Sequence, residues 1–323
     1  MSRIKRSANM SQMAINVSLL ISSITVLFSS INLIHNLFIV AGILKRGDFD
    51  RCKHGHLIFY RFIVNIIQSF TVILYALWII SLVWYDNVNQ QDQYVMLFVG
   101  LFVLNTSLTI TFITLWVGIH RLVGIILPAF FNRLSHQKFC AIALTISLIA
   151  AFGVDITPVL CHHSTVFVPG CMTLLCLADE CSKKAITSYR AAAVLSIIIF
   201  AIVMMIKLYF LFGSGKQEST VFKKVNRLIV ADLSLVVVFN FIPSLLFLTS
   251  TILGIAEIWN SGPIWLMFDS ILVLAQTSIS KVVWDNFSTR ITPNSHTRTF
   301  SHFSHEQSML KRGSHPNTGA VHM

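Results

Sequence analysis

Residues 57–84, LIFYRFIVNIIQSFTVILYALWIISLVW, run for 28 residues with one charge among them, Arg61. A helix needs about 20 apolar residues to cross roughly 30 Å of hydrocarbon, and this stretch exceeds that length. Six more runs of the same kind stand at 18–44, 94–119, 139–160, 185–212, 228–254 and 264–283. Strands of a membrane barrel alternate apolar and polar side chains over about ten residues, whereas these runs are long and uniformly apolar. Helices are then the remaining way to pair every backbone group inside lipid. The expected fold is an all-α membrane protein, a seven-helix bundle over 18–283, with a short segment 1–17 before it and a tail 284–323 after it.

Composition agrees. Of 323 residues 55% are hydrophobic and 11% charged, with a mean hydropathy of +0.73, where soluble domains carry roughly 25% charge. The first run follows Arg3, Lys5 and Arg6 but is far too long for a signal-peptide core and lacks a small-residue cleavage site, so it reads as a retained span.

A net charge of +11 raises the question of nucleic acid, and the position of the cations answers it. Fourteen Lys and Arg fall after runs one, three and five and in the tail, among them Lys216, Lys223, Lys224 and Arg227; five fall at the N-terminus and after run four. Lys and Arg are retained on the cytoplasmic side, which predicts an outside N-terminus, an inside tail and a multi-pass protein of the plasma membrane. The surplus is thereby explained by topology and the anionic inner leaflet, and no nucleic-acid partner is expected.

Cys161, Cys171, Cys176 and Cys181 crowd into the loop between runs four and five. On this orientation the loop is oxidising and disulfides are expected, with three pairings open. Residues 85–100 hold no cysteine, so any bridge closes the loop on itself as a lid. A metal site with His162 and His163 is the competing reading, disfavoured because thiolate sites belong to reducing compartments; no metal or cofactor is expected.

Charges in lipid are costly unless paired, interior or near an interface. Arg61, Arg121, Lys207, Asp232 and Lys281 lie near the expected inner ends, and Asp155, Arg190 and Asp269 near the outer ends. The last three, with Asn105, are candidate ligand contacts; Asn65 and Asn105 also suit interhelical hydrogen bonding. Arg121 is a candidate partner for Asp232 in one signalling state, with Arg61 at similar depth as the competitor. Pro158 and Pro243 favour kinks, and Pro243 places a hinge in the sixth run. In the tail, Val283, Trp284, Phe287 and Ile291 recur at helical spacing, as for a helix lying on the membrane surface. Eleven Ser and Thr over 284–323 predict a disordered distal part open to kinases.

Seven spans, Arg121 ending the third and Pro243 in the sixth resemble the rhodopsin-like G-protein-coupled receptors. At residue level the chain is similar to the nematode serpentine chemoreceptors, and within them to class BC. The segments that carry this are Phe59-Tyr60-Arg61-Phe62, Gly118-Ile119-His120-Arg121-Leu122-Val123 followed by Pro128, Pro169-Gly170-Cys171, and Asn226-Arg227-Leu228 with Asp232 leading to Phe241-Ile242-Pro243-Ser244. The general receptor pattern has an acidic residue where His120 stands, and run seven has neither proline nor tyrosine at its inner end. The resemblance implies a chemosensory receptor, sited in a sensory cilium, that takes a small, volatile molecule into a mostly apolar pocket beneath the cysteine lid. It further implies a heterotrimeric G protein as partner, with His120, Arg121, Asp232 and Pro243 as the switch and Arg121, Lys216, Lys223, Lys224 and Arg227 as its inner contacts. A small transporter or channel is the alternative; no internal repeat supports it. HExxH and Gly-x-Ser-x-Gly are absent, as are paired carboxylates at mid-depth, so no enzyme is expected.

Overall fold

The computed structural model describes residues 2–47, 55–85, 90–127, 135–156, 161, 180–212, 231–232, 234–243, 245–246, 249 and 264–291. Among these residues all regular structure is helical. In chain order the helices are α1 (Ser2–Arg46), α2 (His56–Tyr85), α3 (Gln90–Ile126), α4 (His136–Phe152), α5 (Glu180–Phe212), α6, described at 231–232, 234–243, 245–246 and 249, and α7 (Ile264–Ile291). A 3₁₀ turn, Gly153–Ile156, extends α4, and Val237–Phe241 of α6 is a π-helical turn. Gly47, at φ 63°, ends α1 in the left-handed conformation that glycine adopts without strain.

Five described segments are long and apolar enough to cross a membrane: Asn16–Arg46, His56–Trp84, Tyr94–His120, His136–Ile156 and Ile264–Asp285. Their lipid-facing sides carry large apolar groups such as Leu20, Phe38, Trp84, Phe98 and Ile149, all more than half exposed in the isolated chain. In water such a surface would aggregate; in a bilayer it is the solvated face.

α7 packs on α1, α2 and α6, while α5 packs on α3 and α6. Between them α3 also meets α2 and α4, so it runs through the middle of the bundle. We call the end where α4 leads into α5 the disulfide end, because Cys161 and Cys181 are bonded there across a 20-residue separation, Cα to Cα 5.8 Å. The bridge closes the loop on itself, with Cys181 in the first turn of α5. Cys171 and Cys176 lie outside the described residues. Closing a loop of this size is worth about 3 kcal/mol, so Cys161→Ser is expected to lower the unfolding free energy by about that amount. Non-reducing peptide mapping should recover a Cys161–Cys181 peptide; free Cys161 in surface-expressed protein would refute the pairing.

Unlike a soluble bundle, this one buries a polar seam. Ser18, Ser22, Thr25, Ser29, Asn32 and Asn36 of α1 recur at alternating steps of four and three, all at most 2% exposed, and the same stripe continues as Ile39 and Ile43. Asn32 donates to Ser69 of α2 at 2.6 Å, Asn36 to Thr277 of α7 at 3.2 Å, Asn65 of α2 to Thr277 at 3.0 Å, and Ser29 bonds Ser270 of α7 at 2.9 Å. Each interhelical hydrogen bond of this kind contributes about 0.6 kcal/mol in lipid, and their larger effect is to set the register of α1, α2 and α7.

Val283 and Trp284 are not on a membrane surface. Both are 2% exposed and pack with Ile39, Ile43, Ile58, Phe59 and Phe62 where α1, α2 and α7 converge. The helical spacing read as a surface stripe belongs to an uninterrupted α7, whose apolar face still turns inward at Trp284, one residue past the run. The side chains of Phe287 and Ile291 and the chain beyond lie outside the described residues.

Candidate functional site

Four helices meet at a charged cluster toward the disulfide end. Arg190 of α5 pairs with Asp269 of α7, their side chains 11% and 6% exposed. Arg190 also donates through Nε and Nη2 to Asn240 Oδ1 of α6, at 3.2 and 3.1 Å. Its guanidinium carbon sits 4.8 Å from the Trp265 ring centroid, a cation–π contact. The other Asp269 oxygen accepts from Ser107 of α3 at 2.9 Å. A buried charge of either sign is thus fully matched, which is the condition for its survival in lipid.

Below the cluster lies a narrow cavity with room for about one water molecule. Ser107, Thr111, Asn240, Asp269, Gln68 and Gln276 line it from four helices, with Ile110, Ile197 and Leu272 among the apolar walls. Polar and apolar side chains share this wall. Its polar part follows the same inverted pattern as on α1: polar side chains that would be surface residues in water turn inward here.

Asn240 belongs to the π turn Val237–Phe241. A π turn shifts the side chains that follow it and leaves the helix ladder locally loosened. Pro243, buried, follows two residues later and supplies no N–H to that ladder. The π turn of α6 therefore holds the residue that Arg190 grips.

Candidate residues separate into groups. Asp155, in the turn after α4, accepts both oxygens' bonds from Asn105 of α3 at 3.0 and 2.9 Å. That pair joins α3 to α4 and does not line the cavity. At the opposite end, Asp232 of α6 is held by Arg61 of α2, Nη1 to Oδ2 at 3.3 Å and Nη2 to Oδ1 at 3.5 Å, and Arg61 also donates to Ser280 of α7 at 3.2 Å. Arg61, the competitor named above, is thus the partner of Asp232 in this structure. His120 of α3 bonds His136 of α4 at 3.1 Å and stacks near Phe139. The Arg121 side chain and Lys216, Lys223, Lys224 and Arg227 lie outside the described residues.

The family model described as "Serpentine type 7TM GPCR chemoreceptor Srbc" matches residues 13–279, most of the chain and every described helix of the bundle. The chain is a class BC serpentine chemoreceptor. No match was found among curated proteins. The receptor therefore belongs to a family of seven-helix receptors and not to a family of enzymes. Within it, Ser107, Asn240, Trp265 and Ser280 are residues that sequence reasoning did not single out. Asn240 was visible as the lone amide beside Pro243; Ser107, Trp265 and Ser280 carried no signal that sets them apart from other Ser and Trp in the spans.

Proposed function

We propose that this serpentine chemoreceptor binds a small environmental molecule in the cavity beside Arg190 and Asp269 and passes the event through α6 to a heterotrimeric G protein. The N-terminus and disulfide end face outside and the Arg61–Asp232 end faces the cytoplasm of the plasma membrane, in keeping with the cation count and with a disulfide at the outer end. The observation that carries the reading is the bond from Arg190 to Asn240. A ligand that reorganises Asp269 or Arg190 alters the hold on the π turn of α6, and α6 carries Asp232 at its far end. Differential affinity for two packings of α6 is what a ligand needs to shift the equilibrium.

Cells expressing the receptor with a promiscuous G protein should give calcium responses to members of an odorant panel. Asp269→Asn, at equal surface expression, should weaken those responses by about tenfold or more, as expected for a charge-assisted bond in a buried site. An unaltered dose–response curve in Asp269→Asn would remove the cavity from the mechanism.

A further inference from the structure

One face of α2 carries three buried polar side chains between the cavity and the Arg61–Asp232 clasp. Arg61, Asn65 and Gln68 stand at steps of four and three and are 2%, 1% and 3% exposed, so they lie one above the other on the helix. Each keeps one atom without a hydrogen-bond partner among the described residues: Arg61 Nε, Asn65 Oδ1 and Gln68 Oε1. For Asn65 the neighbours fix which way the amide points. Its Nδ2 donates to Thr277 Oγ1 at 3.0 Å, and that oxygen also accepts from Asn36 while its own hydrogen goes to an oxygen of Asn32 or Asn36. Turned over, Asn65 would set its oxygen against one with no hydrogen left to give. A buried polar atom with no partner bears the full cost of leaving water, and here three such atoms follow one another over about 10 Å of helix.

Their chemistry selects the occupant. Arg61 Nε–H only donates and the two amide oxygens only accept, so whatever joins them must do both. A cation is repelled by the Arg61 guanidinium, and an anion meets amide oxygens at two of the three positions. Side chains three and four apart on a helix have Cβ atoms about 5–6 Å apart, a span that two hydrogen bonds of about 2.8 Å through one small molecule match. The cavity on whose wall Gln68 lies has room for about one water molecule, and donors and acceptors both line it. We infer that α2 holds bound water: one molecule accepts from Arg61 Nε–H and donates to Asn65 Oδ1, and a second, in the cavity, donates to Gln68 Oε1 with Thr111, Asp269 and Gln276 as its other neighbours. The guanidinium that clasps Asp232 is thereby held from the cavity side as well. These sites stand on the α2 side chains alone, and a ligand that enters the cavity takes the place of the second molecule.

Isotope-labelled receptor in nanodiscs tests both sites by proton-detected solid-state NMR, read as short-range magnetisation transfer from water to side-chain N–H groups. Transfer should reach Arg61 Nε–H and the side-chain amides of Asn65 and Gln68. In Asn65→Leu the transfer to Arg61 Nε–H should be lost while that to Gln68 stays. Thr277→Val breaks the same Asn65–Thr277 bond but keeps Asn65 Oδ1, so transfer to Arg61 should survive it; that separates the water from a merely structural effect. Gln68→Leu gives a second measure that does not need Asn65→Leu to fold, since it removes no side-chain bond to a described residue. Were the Gln68 oxygen dry, its apolar replacement would raise the folded-to-unfolded ratio about tenfold by relieving an unpartnered carbonyl; with water bound, thermal unfolding should show the ratio level or lowered. Absence of transfer to Arg61 Nε–H in the native receptor, or transfer that persists in Asn65→Leu, overturns the bridging water. A gain of the dry size in Gln68→Leu overturns the cavity water.

Discussion

Arg190→Met is expected to lower the stability of the receptor by about 3 kcal/mol, the cost of leaving one partner of a buried ion pair uncompensated. Asp269 would keep only the bond from Ser107, and Asn240 Oδ1 would lose both guanidinium donors in the same step. A change of that size lowers the ratio of folded to unfolded receptor by about a hundredfold. The companion variant Arg190→Met with Asp269→Leu removes the charge along with its partner and should recover most of the loss, since apolar replacement of a whole buried pair is often neutral. Thermal unfolding in detergent, with surface expression as a second readout, measures both. Equal stability of Arg190→Met and the native receptor would show that the cluster does not hold α5, α6 and α7 together.

The fold class was legible because lipid makes length informative: a helix must be long and apolar to span, and residues 57–84 are both. Depth along a helix was also legible, which is why Arg61, Arg121 and Asp232 could be set at one end and Arg190 and Asp269 at the other. Azimuth was not. An apolar span has no hydrophobic face to point inward, so the ordinary amphipathic pattern gives no rotation, and Arg61 and Arg121 were indistinguishable as partners for Asp232. The rotation of α1 was nonetheless encoded, by the polar stripe from Ser18 to Asn36, which reads correctly once small and polar residues are taken as the buried side. In α7 the opposite error arose: Trp284 stood at helical spacing with Val283, Phe287 and Ile291, as in a helix lying on the membrane surface, yet it fills the junction with α1 and α2. The π turn at Val237–Phe241 had no sequence signature beyond the proline that follows it. The cavity's polarity followed from partners on four helices, which no single run displays.

At the far end the expected result is that Asp232→Asn raises basal signalling. Arg61 clasps Asp232 through two nitrogens and ties it to Ser280, so α2, α6 and α7 are joined at one point. Asp269 and Ser280 are eleven residues apart on α7, about 16 Å at 1.5 Å per residue. The Arg190–Asp269 cluster and this clasp thus grip the same two helices at different depths, and α6 carries its π turn between Asp232 and Pro243. Loosening the clasp favours whichever packing moves α6 outward, without any ligand. An effect of about 1–2 kcal/mol on that equilibrium, ordinary for an allosteric coupling, corresponds to roughly a 5- to 30-fold rise in the active fraction while it remains small. Arg61→Gln should give a rise of similar size, and the double variant should add little to either single one, because both remove the same bond. Arg121→Ala should not raise basal signalling, which separates the two cations that share this depth. Unchanged basal activity in Asp232→Asn at equal surface expression would sink the clasp as a restraint, and additive rises in the double variant would mean that Arg61 and Asp232 act through different partners.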